Sequence, residues 1–354
     1  MIFASPSPHM KIEFQGGEPL LNFGILKYIV KYALKRNRKY KRDLAFIVCT
    51  NLTLATPRIL RFFKKNRIGI STSLDGPCDL HNRNRPLQDN KLSYDKVKKN
   101  IGLAREVLGP DSVAALMTTT KFSLHRFLDI VDEYVAQGFQ YVFLRNLNPY
   151  GGARQEAKTI GYGVDEFLAR YKEALDYIIE LNLKGTYFVE SFAALLLQRI
   201  LTPFATGFVD LQSPSGVGIE GAVYDYNGDV YVSDEGRMLA AMGDSRFLLG
   251  NVNKNTHQDM FSGESLRSLI SKSCLESMPV CADCALQTYC GADPVRNYAE
   301  HGDVVCYGSA NNTCKKCKGI LLHLLELIER NDPDINRVFW SWINRTSGPR
   351  RVRN

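Results

Sequence analysis

The chain has 354 residues, enough for one large domain or two moderate ones with a sizeable core. Its 45% apolar and 23% charged residues exclude wholesale disorder, a fibrous repeat and a coiled coil. Much of the net charge of +8 sits in Lys35–Arg42 and in the tail Arg350–Arg353; the first run reads as the solvated end of a helix, so a nucleic-acid partner is not expected. The N-terminal stretch lacks a basic and apolar signal pattern, and no apolar run reaches the length of a membrane span.

From residue 10 to about 150, β-rich runs alternate with amphipathic ones, the pattern of a parallel sheet covered by helices. Strands are predicted at Met10–Gln15, Leu44–Cys49, Ile68–Leu74, Val113–Thr119 and Tyr141–Leu147. Helices are predicted around Phe23–Leu34, Pro57–Lys65, Tyr94–Leu108 and Leu124–Ala136. Every strand ends in small or polar residues, and ligands of parallel α/β folds sit at such C-terminal ends, so the five tips predict one shared pocket. Ordinary βα turns have a similar composition. Residues 163–201 read as helical, and the Pro-, Gly- and Ser-rich stretch 202–218 is the expected join between two parts. Val223–Val232 alternates around Asn227-Gly228, a hairpin signal, and Gly319–Arg330 reads as an amphipathic helix.

Seven of the nine cysteines fall between Cys274 and Cys317, whereas Cys49 and Cys78 stand alone. Without a secretion signal, clustered thiols read as metal ligands of a cytoplasmic protein before they read as disulfides. Cys281, Cys284 and Cys290 form C-x2-C-x5-C, a tight knuckle plus a third thiolate, and a later cysteine, Cys314 or Cys317, would close a four-thiolate site. Spacing leaves the metal open, because Cys281/Cys284 and Cys314/Cys317 also make two zinc-ribbon-like pairs. The turn Gly16-Gly17-Glu18-Pro19 after the first strand suits close backbone approach to a ligand, with Glu18 able to hold a cation and Pro19 fixing the exit.

The series Lys11-Ile-Glu-Phe-Gln-Gly16-Gly17-Glu18-Pro19, Cys49-Thr50-Asn51, Ser71-Thr-Ser73-Leu-Asp75-Gly76-Pro77 and His81-Asn82-Arg83-Asn84-Arg85 resembles the radical S-adenosylmethionine (SAM) enzymes. The subgroup it resembles carries a cysteine-rich SPASM domain and includes peptide maturases and anaerobic sulfatase-maturing enzymes. The wording of Cys281–Asn297 is most similar to the maturase of the His-Xaa-Ser peptide system. The resemblance implies an α/β fold: a partial (β/α)6 TIM-like barrel at 1–205, an auxiliary iron–sulfur domain at 218–330, and a C-terminal helix with basic tail at 331–354. It implies SAM and 4Fe–4S cofactors, a 5'-deoxyadenosyl radical that abstracts hydrogen, a precursor peptide as substrate, and an electron donor such as flavodoxin or ferredoxin. Carried over by position, Gly16, Gly17, Glu18 and Pro19 would meet the methionine amino group, Thr50 and Asn51 would line the pocket, Ser73 and Arg85 would hold ribose or carboxylate, and Leu147 would pack near adenine.

Two departures shape what is expected. No C-x3-C-x2-C run precedes Gly16, where the family binds its SAM-cleaving cluster, so the barrel is expected to lack its first strand and cluster loop. The chain is then expected to begin inside a longer product and to be inactive alone. Pro294 and Ser233-Asp234 stand where further cysteines are expected, leaving one auxiliary cluster on Cys281, Cys284, Cys290 and Cys314, with Cys317, Cys306 or Cys274 as substitutes for the last. Asp75, Tyr162 and Asp234 stay open as substrate contacts. The competing readings are a zinc-ribbon nucleic-acid-binding protein and a non-catalytic remnant that binds a peptide.

Overall fold

The computed structural model describes residues 1–305 and 311–346; Cys306 and the basic tail Arg350–Arg353 lie outside the described residues. The chain divides into two units, Ile2–Arg145 and the part from Asn146 on. The expected join at 202–218 does not coincide with this division and lies inside the second unit.

In the first unit the strands are β1 (His9–Phe14), β2 (Asp43–Cys49), β3 (Ile68–Ser73), β4 (Val113–Leu116) and the short β5 (Tyr141–Val142). The helices between them are α1 (Phe23–Tyr40), α2 (Pro57–Asn66), α3 (Cys78–Asn84), α4 (Tyr94–Leu108) and α5 (Phe127–Ala136). β1 to β4 form one sheet in sequential order with every pair parallel. Alternation buries Phe46 and Val48 of β2 and Ile68 and Ile70 of β3, and Leu60 and Phe63 of α2 and Ile101 of α4 are buried as well; fully burying each such side chain is worth about 1.5–3 kcal/mol. Parallel pairing with sequential order puts the C-terminal ends of all four strands along one edge of the sheet.

The α/β class and the alternation of elements agree with the sequence reading. Two strands are shorter than predicted: β4 stops at Leu116 and β5 at Val142. Beyond them the chain leaves the regular ladder, although Thr119 N–H still donates to the Arg145 carbonyl at 2.8 Å. Conversely α1 runs six residues past Leu34, through the basic run, and ends where Lys41 adopts φ 51 and donates its N–H to the Asn37 carbonyl. Cations in the last turn suit the negative end of the helix dipole.

In the second unit, two short helices open the chain, α6 (Gly151–Gln155) and α7 (Ala157–Ile160). The expected helix 163–201 is two helices, α8 (Val164–Leu183) and α9 (Ser191–Leu201), separated by strand β6 (Val189–Glu190). The break has a local cause: the Asn182 amide donates to the Ile178 and Phe188 carbonyls and accepts from Phe188 N–H, and Glu190 then caps α9 by accepting from Ala193 N–H. The predicted hairpin forms as β7 (Val223–Tyr224) and β8 (Asp229–Tyr231), and an unforeseen β9 (Leu248–Asn251) pairs antiparallel with β8. The later helices are α10 (Asp234–Ala241), α11 (His257–Phe261), α12 (Glu264–Ser271), α13 (Pro294–His301), α14 (Asn312–Glu329) and α15 (Pro333–Thr346). α14 and α15 pack on α8 and α9 around the fully buried Trp342 and Phe339. Because α14 begins seven residues before the expected Gly319, Cys314 and Cys317 lie on its first two turns rather than in a loop. No described helix is long and apolar enough to cross a membrane.

Candidate functional site

At the polar edge of the first unit's sheet, Glu18 organises the tips of β1 and β2. Its Oε1 accepts from Leu20 N–H at 2.9 Å and from the Thr50 hydroxyl at 2.6 Å, and its Oε2 accepts from Asn51 N–H at 2.8 Å. Charge-assisted bonds of this kind are stronger than neutral ones, so the Gly16–Pro19 turn is tied to the second strand tip. The Asn51 carboxamide oxygen in turn accepts from Thr53 N–H and Oγ1. Gly16 has φ +122, a conformation open to glycine, and a side chain there would meet empty space, so its backbone faces room for a ligand.

A second network surrounds the tip of β3, whose last residue is Ser73. Asp75, with only 3% of its side chain exposed, accepts from Arg85 Nε at 2.8 Å and from Thr118 N–H at 3.2 Å. Asp75 N–H donates to His81 Nδ1, and the Tyr134 hydroxyl donates to the Leu74 carbonyl. Burial holds the His81 imidazolium form down, which agrees with a neutral ring accepting at Nδ1. Arg85 keeps about a third of its side chain exposed, with Nε fixed on Asp75 and the rest of the guanidinium free to meet an oxygen ligand. Gly76 makes the turn possible: at φ +126, a Cβ there would stand 2.7 Å from Ile130 Cγ1.

The sequence reading brought Glu18, Thr50, Asn51, Ser73 and Arg85 to this edge; the first four lie at the tips of β1, β2 and β3 or just beyond, and Arg85, at the end of α3, reaches Asp75 after β3. Glu18 and Asp75 also bond within the protein. Glu18 uses both carboxylate oxygens on the protein and shapes the turn. Asp75, left open as a substrate contact, holds Arg85. Leu52 went unnoticed; it is a fully buried residue at φ 58 whose N–H donates to Thr50 Oγ1 and whose carbonyl accepts from Asn100 Nδ2. A branched apolar side chain gives no sequence signal for a left-handed backbone.

The remaining candidates lie in the second unit. Leu147, expected on a strand, lies past β5 in an irregular segment, where its N–H donates to the Tyr162 hydroxyl at 2.8 Å. Tyr162, another open substrate contact, is thereby engaged. Asp234 pairs with Arg237 within α10, and Ser233 caps that helix by accepting from Gly236 N–H.

The segment Cys281–Cys290 is a chain of tight turns, with Cys284 N–H donating to the Cys281 carbonyl and Cys290 N–H to the Gln287 carbonyl. Cys281, Cys290 and Cys314 pack half-buried against one small apolar cluster of Leu275, Met278 and Ala292, while Cys284 is exposed. Among the described residues, no three His, Cys, Asp or Glu side chains are gathered closely enough to hold a metal ion. Cys317 is buried and shares a hydrogen bond with Cys290, which holds Cys317 down, to about 7, and, with burial, holds Cys290 up. The nearby Lys316 ammonium also lowers Cys317. This contact joins the third thiol of the first motif to the second thiol of the later pair.

No family model matches the chain. Over 292 residues it is 22% identical to the cysteine-type anaerobic sulfatase-maturating enzyme of Clostridium novyi, covering 80% of this chain and 72% of that protein. Its fold is similar to that of native anSMEcpe with bound AdoMet, with TM-score 0.76 and 18% identity over 96% of this chain and 87% of that one. It is also similar to Streptococcus suis SuiB bound to precursor peptide SuiA, with TM-score 0.57 and 14% identity over 86% of this chain and 65% of that one.

Proposed function

We propose that this chain is a radical SAM maturase of the SPASM type that acts on a peptide or protein substrate. The observation that carries the reading is the pair of networks, Glu18–Thr50–Asn51 and Asp75–Arg85, at the C-terminal edge of one parallel sheet. Likeness in fold to a SAM-bound maturase along nearly the whole chain supports it. In finer terms, the five strands β1–β5 belong to a partial (β/α)6 barrel, the substrate is a ribosomally made precursor peptide as in the His-Xaa-Ser systems, the donor is a flavodoxin or ferredoxin, and the setting is cytoplasmic.

SAM suits the residues present. It is a zwitterion with a diol, and the turn at Gly16–Pro19 offers open backbone while Arg85 offers the outer donors of a fixed guanidinium. Thr50, Asn51 and Ser73 would line the pocket, and Leu147 would contribute an apolar surface. The donor set of the second unit would also suit an iron–sulfur cluster: thiolates from Cys281, Cys290 and Cys314 on an apolar patch and from the exposed Cys284, with Cys317 available in place of Cys314. When bound, SAM would supply the hydrogen-abstracting radical on one-electron cleavage at a C-x3-C-x2-C cluster, and the auxiliary cluster would relay electrons or bind a peptide. Residues 1–354 contain no C-x3-C-x2-C run, so the part assigned to these residues is to bind SAM and peptide and to hold the auxiliary cluster, with no SAM cleavage by this chain alone.

Calorimetric titration of SAM into the anaerobically purified full chain tests the reading. Binding is expected, weakened at least tenfold in Arg85→Gln with an unchanged circular dichroism spectrum. A wild-type chain that ignores SAM, or one that carries zinc in place of iron, overturns it.

A further inference from the structure

The second unit contains a cavity of about 350 Å³ that none of the roles above uses fully. It lies between the segment Asn146–Pro149, the helices α6 and α7, the side chains of α13, and the first turns of α14. Its volume falls in the range that takes small organic ligands or one residue of a peptide.

Three cations line it, Arg154, Arg296 and Lys316, against one carboxylate, Glu300. Arg296 is locked in place: its Nε donates to Glu300 Oε1 at 2.7 Å, Nη1 to Asn148 Oδ1 at 3.2 Å and Nη2 to the Leu147 carbonyl at 3.4 Å. Lys316 donates to Asn146 Oδ1 at 2.9 Å and stands 5.1 Å from the centre of the Phe192 ring. One of its three ammonium hydrogens is thus taken and two remain. The 18-residue helix α14 presents its positive end here, and Thr313 of its first turn has a buried hydroxyl without a hydrogen-bond partner. Such a buried orphan is destabilising unless something fills it. The cavity also holds one orphaned acceptor: Glu300 Oε2 is buried without a hydrogen-bond partner, and His301 Nε2 stands off at 3.7 Å.

A ligand that satisfies both sides needs an anionic oxygen pair for Lys316, Thr313 and Arg154, together with an N–H for Glu300. A carboxylate carried on a peptide has both. We propose that this cavity is a carboxylate subsite that seats an acidic residue, or the terminal carboxylate, of a peptide ligand; the inference rests on the peptide-maturase reading above and narrows its substrate.

The test uses the full chain and three tripeptides measured by calorimetry: acetyl-Gly-Glu-Gly-amide, acetyl-Gly-Gln-Gly with a free C-terminus, and the fully neutral acetyl-Gly-Gln-Gly-amide. At least one carboxylate peptide is expected to bind tenfold or more tightly than the neutral one, and whichever does so identifies the source of the carboxylate. Lys316→Met and Arg154→Gln are each expected to lower that preference at least threefold. Arg154 is exposed, so its variant reads the effect even where Lys316→Met fails to fold. Equal binding of all three peptides overturns the subsite and leaves the peptide reading standing. Binding of none overturns both the subsite and the peptide substrate, while SAM binding in the same preparation still reports separately on the cofactor reading.

Discussion

The two units place their chemistry in opposite ways. In the first, the strand ladder delivers polar tips to one edge and the side chains there complete one another: Glu18 takes three hydrogens from the protein, and Asp75 takes two. In the second, the metal-ligating candidates come from turns and from a helix end. Cys281, Cys290 and Cys314 share an apolar patch, Cys290 meets Cys317, and among the described residues no three candidate ligands gather closely enough to hold a metal ion. A site carried by a ladder is arranged before its ligand arrives, whereas a site carried by turns takes its final form from the ligand.

The sharpest way to break this comparison is to remove a thiol. Cys290→Ser is expected to reduce iron from about four atoms per chain to less than one. It should also open the stretch 274–305 to protease and leave the first unit's fragments intact. An unchanged iron content or digestion pattern would mean that the second unit is as prearranged as the first.

Next in size is Gly76→Ala. A methyl 2.7 Å from Ile130 Cγ1, at φ +126, is expected to cost about 2–4 kcal/mol, read as a lower urea midpoint with an unchanged slope. Asp75→Asn should cost about 1.5–3 kcal/mol, since it weakens a charge-assisted bond in a nearly buried place. It should also loosen SAM binding in a manner not additive with Arg85→Gln, because both changes break one pair. Additive losses would show that Asp75 acts on its own.

The smallest effect is a pH dependence. Asp293 caps α13 by accepting from Arg296 N–H, and burial together with the Asp210 charge pushes its carboxyl up to about 7. A carboxyl raised in the folded state binds its proton more tightly there than in the unfolded chain, so stability falls as pH rises from about 4 to 7. Asp293→Asn keeps a capping oxygen and removes the charge. The expected result is a higher melting temperature at pH 8 and an unchanged one at pH 4, measured by calorimetry; equal shifts at both values would contradict it.

How much of this was legible in the sequence follows the same division. Period-two strands and the turns after them announced themselves through Val, Ile, Gly and Pro, so β1, β2, β3 and most of their tip residues were found. What the first unit hid was a matter of pairing at a distance: Asp75 needs Thr118 beside it, 43 residues away in sequence, before its supporting role is visible. In the second unit the cysteine spacing pointed to metal ligands. It did not reveal that Asn311 starts a helix seven residues early by accepting from Thr313 and Cys314 N–H. A lone Asn before Asn-Thr-Cys is a weak start signal, and that one capping side chain moves two thiols from a loop onto a rigid rod. The segment 184–190 carried β-rich residues inside an apolar helical run, and the side chain of Asn182 settles which pattern prevails.

The Glu18 carboxylate has a consequence for how this sequence can vary. Its three donors come from Leu20, Thr50 and Asn51 and are met by two oxygens at the end of a two-carbon arm. Aspartate has the charge but one carbon less of reach; glutamine has the reach but presents hydrogens where oxygens must accept. Drift at this position therefore has no gentle intermediate, and a saturation library at residue 18 should divide into one tolerated codon family and a uniform field of losses.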